Sequence, residues 1–259
     1  MKIIRFTSKK LEKIYNRGLV RNRRVEEKVK QIIDDVRIFG DEALIKYTKK
    51  FDGVKLVPKQ LKVSEIEISG AYQNISPNFV ASLKVIIENV NRFYRKVLKK
   101  SWRMKDADGV ILGENYTPLE KVGVYIPAGT APLVSTVYMT VLPAKLAGVK
   151  KIALISPPDK QGYINPHILV VANLLKVDEI YRVGGAQGIA ALAYGTKTIP
   201  RVDKIVGPGN IYVSEAKRQV FGLVDIDMIA GPTELVIIAN RYSESKFIIA
   251  DLKAQAEHA

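Results

Sequence analysis

Apolar residues recur at helical spacing through the first hundred positions and in short unbroken runs after that. The change of rhythm divides the chain. In VEEKVKQIIDDVRIFG, Val25, Val29, Ile32, Ile33 and Val36 are three or four apart, which predicts an amphipathic helix stopped by Gly40. DEALIKYTKKFDG predicts a shorter helix, with Asp41 as N-cap and Gly53 as terminator. LKVSEIEIS alternates and predicts a strand or an extended lead-in. SPNFVASLKVIIENVNRFYRKVL predicts the longest helix. Ser76 would cap it, Pro77 suits its first turn, and Leu83, Ile86, Ile87, Val90 and Val97 form its apolar stripe.

From about residue 110 the texture differs. GVILGENYTPLEKVGVYIPAG reads as extended segments. KVGVYIP, KKIALISPP, EIYRVGG, KIVGPG and ELVIIAN are short, β-branched apolar runs that predict strands. Between them, VSTVYMTVLPAKLAGV, NPHILVVANLLKV, AQGIAALAYGT and NIYVSEAKRQVFG predict helices. Alternation of this kind predicts an α/β fold with a parallel sheet covered on both faces.

The composition, 47% hydrophobic and 26% charged over 259 residues, is that of a globular chain. With no cysteine there is no disulfide framework, thiolate zinc site or Cys nucleophile. No apolar run is long enough for a transmembrane helix, and the basic start, MKIIRFTSKKLEKI, lacks the core of a signal peptide, so the cytoplasm is the expected compartment. The net charge of +15 raises nucleic-acid binding as a question. RNRRVEEKVK mixes its bases with acids, and YRKVLKK and YTKKFDGVK sit on helical patterns. No zinc finger or aromatic RNA-binding string accompanies them, so neither nucleic acid nor membrane is expected as a partner.

In a parallel sheet, ligands bind beyond the carboxyl ends of the strands. The loops expected there are VYIPAGTAP, VGGAQGIA, VGPGNIY and AGPTELV. The usual dinucleotide fingerprint and the P-loop are both absent. Gly184, Gly185, Gly188, Gly207 and Gly209 would let a ligand approach the backbone at helix N-termini, with Gln187 and Asn210 at the same turns. Ordinary turn and capping chemistry explains the same residues.

The stretch FIIADLKAQAEH places Asp251, Gln255 and His258 in the same helical sector as Phe247, Ile248 and Leu252, with Lys253 and Glu257 opposite. Gln255 and His258 could be half of a metal site, or a buried His satisfied by a Gln partner. His167, the only other histidine, follows Pro166 at a helix start and reads as structural or surface.

Taken together, VGVYIPAGTAPLVSTVYMTVLPAKLAGVKKIALISPP, EIYRVGGAQGIAALAYGT, RVDKIVGPGNIYVSEAKRQVFGLVDIDMIAGPTELVIIAN and DLKAQAEH resemble the histidinol dehydrogenase family. GDEALIKYTKKFDG and the long helix after it agree more loosely. The resemblance runs from about residue 20 to the end. It implies incomplete Rossmann-like parallel-sheet domains, of aldehyde-dehydrogenase-like architecture, behind a helical N-terminal region. It also implies NAD-dependent oxidation of L-histidinol to L-histidine, the last steps of histidine biosynthesis, by a zinc-dependent, intertwined homodimer.

By the same resemblance, Tyr125, Gln187 and Asn210 match NAD-contacting positions. Gln255 and His258 match zinc ligands that also contact substrate. Thr233 stands where the family commonly has a substrate-contacting Ser, and Ala128 replaces a frequent Gly. The family's catalytic Glu-His pair and its remaining zinc ligands, an Asp and a His, are expected beyond Ala259. On this reading the chain is the front portion of a longer enzyme and nearly inactive alone. The alternative is a non-enzymatic or repurposed fragment that binds a nucleotide or a partner chain. The expected layout is an arm at 1–19, a first α/β unit of 20–121 plus 234–259, and a second, Rossmann-like unit at 122–233.

Overall fold

The computed structural model describes residues 22–128, 133–229 and 235–256. Helix α1 (Arg23–Phe39) starts at Asn22, whose side chain accepts from the Val25 N–H, and buries all five residues of the predicted stripe. Gly40 ends it and also serves as N-cap of α2 (Asp41–Phe51). Asp41 is therefore the first residue of α2 rather than its cap. Its carboxylate is buried and accepts from the Thr198 hydroxyl at 2.6 Å, tying the helix to a distant loop.

LKVSEIEIS is mostly helical. A single turn, α3 (Pro58–Leu61), precedes a short extended piece in which Val63 N–H donates to Ile180 O. Ser64 then opens α4 (Glu65–Ala71) with a capping box to Glu67. The alternation of Ile66 and Ile68 misleads because the capping box decides the local structure. The longest helix, α5 (Pro77–Val97), has the expected Ser76 cap and Pro77 start. Its stripe is only partly covered: Leu83 is buried, whereas Val97 is 57% exposed.

A two-stranded hairpin follows, β1 (Trp102–Lys105) antiparallel to β2 (Ile111–Glu114). Sequence periodicity missed β1, because all four of its residues are exposed and no buried face imposes alternation. The main sheet begins at β3 (Lys121–Tyr125) and continues through α6 (Val134–Leu146), β4 (Lys151–Ser156), α7 (Pro166–Leu174) and β5 (Glu179–Arg182). It then runs through α8 (Gly185–Tyr194), β6 (Lys204–Val206), α9 (Ile211–Val220) and β7 (Asp225–Ile226). All pairings are parallel, in the order β5-β4-β3-β6-β7.

The strands bury both faces, and successive residues serve opposite layers. Val122, Val124, Ile152 and Leu154 face a core shared with α5, α6 and α7. Tyr125, Ala153, Ile155 and Tyr181 face a core shared with α1, α2, α8 and α9. The result is a three-layer α/β/α unit, with N-terminal helices in each outer layer beside the crossover helices. Arg182 at the end of β5 grips Glu67 of α4 through two hydrogen bonds, 2.6 and 2.7 Å, which fixes the N-terminal region to the sheet.

ELVIIAN does not form a strand where it is described. Residues 235–240 are irregular, with Val236 83% and Ile238 95% exposed, so the apolar run has no sheet neighbour. The last helix, α10 (Ser245–Ala256), buries none of its residues, and Phe247 and Leu252 of the supposed inward sector are both exposed. Among the described residues, no helix is long and apolar enough to cross a membrane.

Candidate functional site

Strand order reverses at β3. The chain leaves it for β4 on one side and later returns to place β6 on the other. This is the switch point at which an open parallel sheet leaves a crevice beyond its strand ends. A cavity of about 760 Å³ lies there. Its lining includes Tyr125 at the end of β3 and Pro127 after it, Pro157 after β4, Gln187 on α8 and Asn210 before α9. Helices α1 and α2 close the opposite wall with Lys28, Tyr47, Lys50 and Asp52.

Hydrogen bonds hold Tyr125 and Asn210, and packing holds Gln187. The Tyr125 phenol is buried and accepts the N–H of Gly185, the first residue of α8, at 3.3 Å. Burial pushes its pKa up to about 12, so it stays protonated at neutral pH and has a proton to donate. Gln187 is 1% exposed, and its Oε1 has no hydrogen-bond partner. A buried amide oxygen left unpaired costs about 1–3 kcal/mol, which makes it a ready acceptor for a ligand. Asn210 does cap α9, accepting from the Tyr212 and Val213 N–H groups at 3.0 and 3.1 Å. Capping occupies only the oxygen, so the side-chain NH₂ remains for a ligand.

Gly207 shows why the loop after β6 needs glycine. Its φ is +117°, and a Cβ would lie 2.2 Å from the Tyr125 carbonyl oxygen. Sequence reasoning did not single out the Lys217–Asp227 pair or Asp52. Lys217, 1% exposed on α9, donates to Gly207 O at 2.9 Å and pairs with Asp227, while Asp227 accepts from Gly207 N–H at 2.7 Å. Asp52, just past α2, has a buried Oδ2 without a partner, and burial raises its pKa to about 6. These residues lie in stretches that carry the family resemblance, but only packing reveals what they do.

A sequence profile of the histidinol dehydrogenase family matches residues 15–259. The chain belongs to the histidinol dehydrogenase family. It is 54% identical over 234 residues to a histidinol dehydrogenase of Listeria innocua, covering 90% of this chain and 54% of that relative. It is 50% identical over 237 residues to one from Clostridium acetobutylicum, covering 92% of this chain and 54% of the relative. The crystal structure of histidinol dehydrogenase from Elizabethkingia anophelis superimposes with a TM-score of 0.86 at 40% identity, covering 92% of this chain and 55% of that one. The chain thus spans about half the length of the curated relatives it matches.

Among the positions that the histidinol dehydrogenase resemblance selects, Tyr125, Gln187 and Asn210 meet in one cavity. Ala128 lines it too, and its φ is not positive, so the missing glycine imposes no strain. Gln255 is half-buried on α10, outside that cavity. Thr233 and His258 lie outside the described residues. Among the described residues no three His, Cys, Asp or Glu gather as metal ligands, so these residues alone do not make a zinc centre. His167 is structural: its Nδ1 is 3.1 Å from Asn165 Oδ1 and its ring meets Phe79 edge-on.

Proposed function

We propose that this chain provides the nucleotide-binding face of an NAD-dependent oxidation of L-histidinol to L-histidine, in the last steps of histidine biosynthesis. The observation that carries the proposal is the convergence of Tyr125, Gln187 and Asn210 on one cavity at the sheet's switch point, with Gln187 Oε1 buried and unpaired. NAD, when bound, supplies the hydride acceptor.

The chain's own groups suit such a ligand. Tyr125 donates from its phenol, Gln187 accepts through Oε1, and Asn210 donates from its amide. Lys28, Lys46 and Lys50 give the α1–α2 wall a positive field suited to phosphates. The aromatic faces of Tyr47 and Phe51, stacked at 5.6 Å, add apolar surface beside them.

Substrate contact by Thr233, Gln255 and His258, and zinc ligation by Gln255 and His258, are proposed from the family resemblance alone. The described residues do not by themselves build the zinc site. A cytoplasmic homodimer is proposed on the same ground.

The test is calorimetric titration of the purified chain with NAD, followed by NADH formation with L-histidinol and zinc. Binding with little turnover is expected. Failure to bind NAD at millimolar concentration would sink the nucleotide reading, and brisk turnover would mean that an acid–base group is present among these residues.

A further inference from the structure

We propose that Asp52 is a specificity residue of the cavity, accepting a hydrogen bond from a donor on the bound nucleotide, either a ribose hydroxyl or the exocyclic amine of its base. The inference rests on the nucleotide reading above and deepens it.

Asp52 occupies an unfavourable place for a carboxylate. It is the C-cap of α2, where the last carbonyls of the helix concentrate negative partial charge. Its backbone N–H is spent on Thr48 O at 2.9 Å, and its Oδ2 is buried without a partner. A group so placed loses stability for the free protein, and a ligand donor would recover it.

The cavity supports that reading through a second residue. Gln187 Oε1 on α8 is also a buried acceptor with no donor, and both residues line the same space. Two orphan acceptors in the lining of one cavity fit a ligand that presents several O–H or N–H donors, as a nucleoside does. An anion alone would find no use for either.

The neighbouring charges do not already satisfy Asp52. Lys46 pairs with Asp35 at 3.0 Å, and Lys50 lies over the Tyr47 and Phe51 rings. Lys28 approaches from α1 and Tyr212 from α9, and Tyr125 on β3 is near enough for the Asp52 charge to act on its phenol. None of these groups makes a hydrogen bond to Oδ2.

Burial holds the free carboxyl at a pKa of about 6. A ligand donor favours the ionised form, so binding expels a proton below that pH and affinity climbs as pH rises through it. A ligand acceptor facing the neutral acid would give the opposite slope.

The experiment is calorimetry on the full chain from about pH 5 to about pH 8. It compares wild type, Asp52→Asn and Asp52→Ala, and uses NAD, NAD analogues lacking one ribose hydroxyl, and nicotinamide hypoxanthine dinucleotide, with thermal unfolding run alongside. Asp52→Ala should weaken NAD about tenfold near neutral pH without lowering the unfolding temperature, and both variants should flatten the pH slope. One analogue should bind wild type and Asp52→Ala alike, which identifies the donor as hydroxyl or amine. If every ligand loses the same factor, Asp52 acts through the field of the cavity and the proposal fails. If wild type binds NAD and Asp52→Ala binds it equally, the proposal fails while the nucleotide reading stands. If wild type does not bind NAD, both fail.

Discussion

Lys217 on α9 and Asp227 after β7 close around the backbone of Gly207, one taking its carbonyl at 2.9 Å and the other its N–H at 2.7 Å. The two side chains also pair with each other. The loop that carries Asn210 is therefore clamped from two elements at once. Replacing Lys217 with Met should cost about 2 kcal/mol, less than a fully buried pair because Asp227 is 29% exposed. Urea unfolding measures the loss. NAD affinity should fall with it, and unchanged affinity would separate the clamp from the site.

Gly207→Ala should be worse tolerated than its size suggests. The left-handed φ and the approach to Tyr125 O require the β3 and β6 ends to separate. A loss of about 2–3 kcal/mol is expected by denaturant titration. A neutral result would show that the loop relaxes without disturbing the sheet.

Gln187→Leu tests function against stability. Removing an unpaired buried amide in favour of an apolar side chain of similar size should leave stability unchanged or slightly higher. NAD affinity should drop about tenfold, because the acceptor is gone. Parallel losses of both would mean that the side chain has a structural role.

Asp52→Asn should raise thermal stability near neutral pH and do little near pH 4. The folded pKa, about 6, lies above the ordinary value of 3.8, so the folded state holds the proton more tightly. Stability from this group is complete at low pH and is lost as pH rises through about 6. After allowance for partial exposure the gain at neutral pH is about 1–2 kcal/mol. A stability difference that grows toward acid would contradict the assignment.

Glu67 should behave in the opposite sense. Burial pushes its pKa up, but hydrogen bonds from Ser64 and the Arg182 guanidinium outweigh that and hold it below 4.5. Its contribution is present above the ordinary carboxylate range and fades as the solution is acidified through the lowered value. Glu67→Gln should flatten the acid limb of a melting-temperature profile, and an unaltered limb would remove the Arg182–Glu67 grip from the list of acid-sensitive contacts.

The parts of the fold legible in sequence were those in which burial imposes a pattern. The α1 stripe and the runs of β3, β4, β5 and β6 were readable because each packs against a core. The exposed strand β1 carried no such pattern, and β7 is a pairing of two residues, too short to show a period. Ser64 and Glu67 did offer a capping-box signal in LKVSEIEIS, but the alternating isoleucines hid it. ELVIIAN erred the other way, as an apolar run with no sheet neighbour among the described residues. Of the site, Tyr125, Gln187 and Asn210 were accessible through family motifs and loop chemistry. Asp52 and Lys217 were not, because burial and packing, which no local pattern records, decide what each does.

The central position of β3 has a kinetic consequence. Val122 pairs with Ile152 on one side and with Lys204 on the other, so the crevice has no second wall until the chain has folded through β6. Such long-range pairing is slow compared with helix formation. During refolding, helical signal should return first and nucleotide-dependent signal last, making ligand capture a clock for the closing step of assembly rather than for collapse.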